Sequence, residues 1–443
     1  MQNRLVLSAI AAALLAGEQT AGQATARLRR ALGRRWRWLG PLAQRYIEGF
    51  AGKPRPRQRD LVQFLLDDPG FAEAWTAYSN QISVAQWLTE GQRMQPVRAA
   101  ERWTIPPIES AGDLADWLSL TPGELDWFAD LKALTCRGNA GFKLKHYHYQ
   151  VRAKGCGSIR LIEAPKPRLK KIQQQILAEI LDRIPRHPAV QGFCKGRSIK
   201  TFVAPHAGQR VVLKMDLKDF FPSISGARIQ AFFRTAGYPG TVADALGGIC
   251  TNATPREVWR RQEVAFDPRQ VMEARSLYRR PHLPQGAPTS PALANFCAYR
   301  VDCRLAGLAD AAGAVYTRYA DDLAFSGGEE FERRVQRFST HVAAILQEEG
   351  FSVHHRKTRI MRQGVRQYLV GLVANQSVNV IRADFDILKA ILTNCVRFGP
   401  ESQNRDAHPD FRAHLGGRVG FVEMINLARG KRLRAILDRI EWP

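Results

Sequence analysis

The chain has 443 residues, of which 65 are Lys or Arg and 41 are Asp or Glu, giving a formal charge of +24 and a pI near 10.2. That length points to two or three domains, and a hydrophobic content of 45% excludes a disordered polycation. No stretch approaches the roughly 20 apolar residues of a membrane span, so this charge on a folded chain argues for a polyanionic partner, most often nucleic acid.

Residues 1–110 carry helical periodicity and are expected to form a separate helical extension. Arg4 followed by the Ala/Leu-rich run 5–16 imitates a signal peptide. Against export stand seven dispersed cysteines (Cys136, Cys156, Cys194, Cys250, Cys297, Cys303 and Cys395), none in Cys-x-x-Cys or zinc spacing. They fit reduced thiols in a cytoplasm, and a packed first helix is the expectation. Further helices are expected over 24–32 and 42–50, split by Gly40-Pro41, then over 60–66 and 71–88. Residues 52–57 form a basic, Pro-interrupted linker. Arg27, Arg29, Arg30, Arg34, Arg35 and Arg37 interleave with Trp36 and Trp38. Such a set suits phosphate contacts and base stacking. It equally suits a solvated basic face over two core tryptophans.

Ile105-Pro106-Pro107-Ile108 marks a boundary. Thr121, Pro122 and Glu124 supply N-cap, N1 and N3 of a helix expected to run to Leu134. Tyr147, Tyr149 and Val151 alternate with polar residues ahead of a Gly155-Cys156-Gly157 turn and Ile159 and Leu161, the pattern of a basic hairpin. An amphipathic helix follows Pro167 as far as Leu181. Residues 143–214 hold 16 Lys and Arg against 3 Asp and Glu, so about half of the net charge lies in this stretch. From about 200 to 375 apolar strands alternate with helices, and after Asp384 the chain is helical with a basic run at 429–434.

Three elements carry chemistry. Val211-Val212-Leu213-Lys214-Met215-Asp216 is an apolar strand ending in an acid, which a sheet edge would hold rigidly. Leu283-Pro284-Gln285-Gly286-Ala287-Pro288-Thr289-Ser290-Pro291 is a small-residue turn entering an Ala-rich helix, and Gly286 permits close backbone approach to a ligand. Two β-rich runs flank Ala320-Asp321-Asp322, a hairpin with adjacent carboxylates at its tip. Hard oxygen ligands of this kind suit Mg²⁺. With Asp216 they would hold two ions roughly 3.5–4 Å apart, which activate the attacking hydroxyl and stabilise the leaving oxygen in phosphoryl transfer. Each element alone is also compatible with an ordinary strand end, loop or turn.

Taken in order, Asp216-x-x-x-Phe220-Phe221, then Gln285 to Pro291, then Tyr319-Ala320-Asp321-Asp322 resemble the signature of reverse transcriptases, and their wording is similar to bacterial retron enzymes over about residues 110–443. The resemblance implies an α+β, right-hand polymerase fold. Its parts would be a helical extension (1–110), fingers (111–210), palm (211–375, with part of the fingers) and a helical thumb (376–443). It assigns Asp216, Asp321 and Asp322 to catalysis and to two Mg²⁺. Lys154 and Arg160 would hold the incoming triphosphate, Gln285 and Gly286 the nucleotide and template, and Phe221 the sugar gate, favouring dNTPs. Lys357 would lie near the leaving pyrophosphate. Tyr319, Gly371 and Asn375 would contact RNA or primer; outside the span of the resemblance, the Arg/Trp cluster of residues 1–110 offers Arg34 and Arg35 as further RNA contacts.

The implied partners are a cognate structured non-coding RNA, its DNA product, dNTPs and an effector protein in antiphage defence, without a membrane. Leu369-Val370-Gly371 stands where retron enzymes commonly carry Val-Thr-Gly, and Asn252-Ala253-Thr254-Pro255-Arg256 where many carry Asn-Ala-x-x-His. The alternatives are a defence reverse transcriptase outside the retrons, protein-primed or template-free, and an RNA-binding scaffold of a defence complex.

Overall fold

The computed structural model describes residues 2–53, 55–88, 91–134, 145–153, 159–260 and 266–442. The chain divides into two compact units interleaved in sequence, Met1–Pro185 with Phe221–Cys297, and Arg186–Phe220 with Ala298–Pro443. Among the described residues no helix is long and apolar enough to cross a membrane.

The first unit begins with five helices, α1 (Gln2–Leu15), α2 (Ala21–Leu32), α3 (Leu39–Phe50), α4 (Gln58–Asp67) and α5 (Pro69–Tyr78). Val6, Ile10 and Leu14 follow helical spacing and are buried against Leu28, Leu42 and Leu61, so the run that imitates a signal peptide is the spine of a core. Two boundaries differ from expectation. Gly40-Pro41 lies inside the first turn of α3, where a missing N–H costs no helical hydrogen bond. Helix α5 stops at Tyr78; beyond it, Ala85 and Gln86 donate their backbone N–H groups to Ala31 O at 2.8 and 3.2 Å, capping α2 instead of extending α5. The 52–57 stretch is anchored, because Arg57 donates to Gln230 Oε1 (2.7 Å) and pairs with Asp244 (3.2 Å).

Thr121 and Glu124 form the expected capping box, with Pro122 at the first helical position. That helix ends early, at Ala129, because Asp130 takes a left-handed conformation (φ 39°). Strands β1 (Tyr147–Ala153) and β2 (Ile159–Pro165) pair antiparallel with Tyr147 opposite Pro165 and Ala153 opposite Ile159. The helix Pro167–Glu179 follows and buries Leu169, Ile172 and Ile176.

The second unit is built on β3 (Val211–Lys218), β4 (Val315–Tyr319), β5 (Asp322–Gly327), β6 (Ser352–Val353) and β7 (Arg359–Arg362). The order is β4-β5-β3-β6, with β7 also pairing β3, and every pairing is antiparallel. Flanked on both sides, β3 buries six of its eight residues, which is why its sequence is nearly continuously apolar. The helix Glu329–Glu348 packs Val335, Phe338, Val342 and Leu346 inward, and Glu329, Glu330 and Glu332 favour its N-terminal dipole. Three short strands, β8 (Tyr368–Leu369), β9 (Leu372–Val373) and β10 (Asn379–Val380), precede the helices Arg382–Phe398, Phe411–Ile425 and Leu427–Leu437.

His206 is fully buried between β4 and β5, with Nε2 2.7 Å from Thr317 Oγ1 and Nδ1 2.6 Å from Ser326 Oγ. Burial pushes its pKa down to about 3. The folded state therefore holds this imidazole neutral while the unfolded chain protonates near 6.5. Its stabilisation is complete above that value and is lost as pH falls, by about 1.4 kcal/mol per pH unit. Urea melts between pH 7 and 5 should show this slope, and His206→Gln should flatten it; an unchanged slope in the variant contradicts the assignment.

Candidate active site

The two-residue turn Ala320-Asp321 joins β4 to β5, with Tyr319 opposite Asp322, and Asp322 in turn pairs with Asp216 of β3. The sheet register thus brings three aspartates to one end of adjacent strands. Backbone bonds fix them: Leu217 N donates to Asp321 O (2.9 Å) and His354 N to Asp216 O (2.7 Å). Lys357 Nζ donates to both Asp216 oxygens, at 3.1 and 3.0 Å. Lys214 Nζ lies 2.9 Å from Asp322 Oδ1 in an ion pair without hydrogen-bond geometry.

The site is electrostatically tense. Burial, followed by the charges of Asp322 and Asp216, raises the pKa of Asp321 above the ordinary carboxylate value. Burial opposes the charge of Lys357, but its hydrogen bonds to Asp216 and the three carboxylates outweigh this and raise its pKa. A divalent cation would relieve the repulsion, and the hard oxygens, including the buried Asp322 Oδ1 that makes no hydrogen bond, fit one. Among the described residues no three His, Cys, Asp or Glu are arranged so as to hold a metal ion by themselves. Mg²⁺ needs no such arrangement, since it is usually held by one or two carboxylates together with water and substrate phosphates.

The turn has its own support, which sequence reasoning missed. Arg318 and Asp302 are both fully buried and form a bidentate pair, Nε–Oδ1 and Nη2–Oδ2 each 2.7 Å. Tyr316 Oη donates to the same Asp302 Oδ1 at 2.8 Å, and Arg318 Nη1 donates to Ala320 O at 3.1 Å. Ala320 itself is left-handed (φ 54°), a conformation that a residue with Cβ adopts at a cost of about 1–2 kcal/mol. Gly192 runs directly beneath, where a Cβ would stand 2.7 Å from Ala320 N. The available signal was an Arg in the middle of an apolar strand, which demands a partner when buried.

The Gln285-Gly286 turn lies in the first unit against β2. Glu163 N donates to Gln285 O (2.8 Å), and Gly286 (φ 130°) approaches so closely that a Cβ would meet Glu163 O at 2.9 Å. The close approach that this glycine makes is therefore to β2. The buried Glu163 carboxylate meets His282 Nε2 (2.8 Å), Asn252 Nδ2 (2.8 Å) and Thr254 Oγ1 (2.9 Å), knitting two segments to the strand. Asn252 and Thr254 belong to the stretch compared above with Asn-Ala-x-x-His. The histidine in contact with them through Glu163 comes from position 282.

Arg160 is exposed on β2, opposite Arg152. Lys154 lies outside the described residues. Phe221 is half-buried in the short helix Phe220–Ser223, which follows β3 in the chain. Tyr319 packs against Phe202 and Phe193, with ring centroids 5.9 and 6.2 Å away. Val370 and Gly371 form the β8–β9 turn, both at positive φ (41° and 90°), so a β-branched residue occupies a left-handed position. Asn375 closes the same loop: its Oδ1 accepts from Gln367 N (3.0 Å) and its Nδ2 donates to Val365 O (2.9 Å). Arg34 and Arg35 are exposed, with Arg34 5.2 Å from the centre of the Trp36 ring and bonded to Gln81. Arg27, by contrast, is buried and donates to Ala13 O and Glu18 O at 2.8 and 2.9 Å, which removes it from any phosphate-gripping face.

Residues 151–380 match the family described as reverse transcriptase (RNA-dependent DNA polymerase). The Retron Mx65 reverse transcriptase of Myxococcus xanthus is 40% identical over 339 residues, covering 75% of this chain and 72% of that protein. The Retron Mx162 reverse transcriptase of the same organism is 35% identical over 351 residues, covering 76% and 68%. The Retron Ec86 reverse transcriptase of Escherichia coli is 29% identical over 295 residues, covering 66% and 80%.

Proposed function

The chain belongs to the retron-type reverse transcriptases and is an RNA-directed DNA polymerase; from that premise we propose that it copies part of a structured non-coding RNA into single-stranded DNA that stays joined to the RNA. The observation that carries this reading is the meeting of Asp216, Asp321 and Asp322 on paired strand ends, with Lys357 on Asp216. Asp216, Asp321 and Asp322 would hold two Mg²⁺ ions, which when bound supply polarisation of the reacting phosphate and a lowered pKa for the attacking hydroxyl. Lys357 would neutralise charge on the departing pyrophosphate. Arg160 and Lys154 would meet the triphosphate, and Gln285 and Gly286 the nucleotide and template. Tyr319 and the 368–375 loop, with Gly371 and Asn375, would hold the primer end.

In this proposal residues 111–210 act as fingers, 211–375 as palm and 376–443 as thumb. The helical extension, through Arg34 and Arg35, adds contacts to the RNA, and the complex serves antiphage defence in the cytoplasm with a separate effector. Similarity to retron enzymes favours this reading over a protein-primed or template-free enzyme and over a scaffold.

Phe221 is proposed as the sugar gate. Phe221→Ala should raise rNTP use relative to dNTP by at least about tenfold, or about 1.4 kcal/mol of discrimination, measured as the kcat/KM ratio on one primer–template; an unchanged ratio removes the residue from that role. The whole reading is tested by purifying the chain with RNA co-expressed from its own locus and sequencing the bound nucleic acid. Covalently joined RNA and DNA are expected. DNA attached to protein, or DNA matching no template, would overturn it.

A further inference from the structure

The basic run at 52–57 has no part in polymerase chemistry, yet one of its arginines is buried. Arg55 is only 6% exposed. Its two terminal nitrogens donate to the backbone carbonyls of Leu15, at the end of α1, and Arg93. Its Nε–H is buried without a hydrogen-bond partner, and Arg55 forms no ion pair among the described residues. A buried donor left unmade is destabilising, more so on a charged group, and a buried guanidinium ordinarily finds a carboxylate.

Arg55 lines a cavity of about 450 Å³ between the end of α3 and residues 95–101. Lys53 and Arg98 line it too, as do Tyr46 and Phe50, with one carboxylate, Glu101, among the lining residues. Lys53 Nζ caps Gly49 O at 2.7 Å, which offsets the negative end of α3 that faces the cavity. Tyr46 is buried and occupied, donating to Gln19 Oε1 at 2.7 Å, so the apolar wall is rigid. Three cations, one of them buried without an ion pair, and an aromatic wall around a space of this size suit an anion carried on a planar group.

We propose that this cavity is a phosphate-binding site for a nucleotide, distinct from the polymerase centre, in which the Lys53 and Arg98 side chains take the phosphate, the buried charge of Arg55 behind them adds attraction, and Phe50 meets the base or sugar. A free mononucleotide and a phosphorylated RNA end both carry this chemistry, and the experiment distinguishes them. The site goes beyond the polymerase reading and does not depend on it.

Isothermal titration of the full chain in EDTA, which suppresses metal-dependent nucleotide binding at the aspartates, tests the proposal with AMP, adenosine, and an RNA decamer with and without a 5′-phosphate. AMP should bind at least tenfold more tightly than adenosine. A 5′-phosphorylated decamer binding more tightly than both AMP and its unphosphorylated form identifies the RNA end as the source; equal affinity for AMP and the phosphorylated decamer identifies the mononucleotide. Lys53→Glu with Arg98→Glu, both at exposed positions, should weaken AMP at least tenfold while dNTP incorporation on an added primer–template is retained. Equal affinity for AMP and adenosine, or AMP binding unchanged in the double variant, overturns the proposal.

Discussion

Asp321→Asn combined with Asp322→Asn should reduce Mg²⁺-dependent dNTP incorporation by at least about 10³-fold, or about 4 kcal/mol of transition-state stabilisation, while RNA affinity stays within about twofold. The physical signature lies in the accompanying stability. Burial and the neighbouring carboxylates raise the pKa of Asp321, so in the absence of metal its charge works against the fold. Neutral amides remove that repulsion. The double variant should therefore melt at the same temperature as the parent chain or higher, and loss of activity cannot be blamed on unfolding. Full incorporation in this variant would dismiss the carboxylates from catalysis.

Asp302→Ala should have the largest effect on stability, about 3–5 kcal/mol, because it strands a fully buried Arg318 without its carboxylate. Activity should fall as well, since Arg318 Nη1 holds Ala320 O in the turn that carries Asp321 and Asp322. Adding Arg318→Met to Asp302→Ala distinguishes the two effects. Removing both charges recovers much of the stability, but the turn has still lost its tie and kcat stays low at unchanged dNTP KM. Equal recovery of kcat and stability would mean that the pair only stabilises the unit.

The aspartates were legible in the sequence because each lies next to an unambiguous local pattern. Val211-Val212-Leu213 announces a buried strand, and the β-rich runs around Ala320-Asp321 announce a hairpin. The Thr121 cap and the β1–β2 hairpin were legible for the same reason, being set by neighbours in the chain. What supports the site was not. Glu163 meets Asn252 and His282, 89 and 119 positions away, and no periodicity connects them. A count of charges also hides their fates. Arg27 lies in a run that reads as solvated or phosphate-facing and Arg55 in a basic linker, yet both are buried on backbone carbonyls, whereas Arg34 and Arg35 remain exposed. The expected helix over 71–88 fails for a tertiary reason, the capping of α2 by Ala85 and Gln86.

The central claim, that Asp216, Asp321 and Asp322 act together as the cation site of the polymerase, is tested most directly by Mn²⁺ electron paramagnetic resonance. The chain would be titrated with primer–template and a non-hydrolysable dNTP, and compared with Asp216→Asn and with the double Asn variant. Tight binding of about two Mn²⁺ per chain, lost in both variants, is the predicted result. Undiminished Mn²⁺ binding in either variant would contradict it.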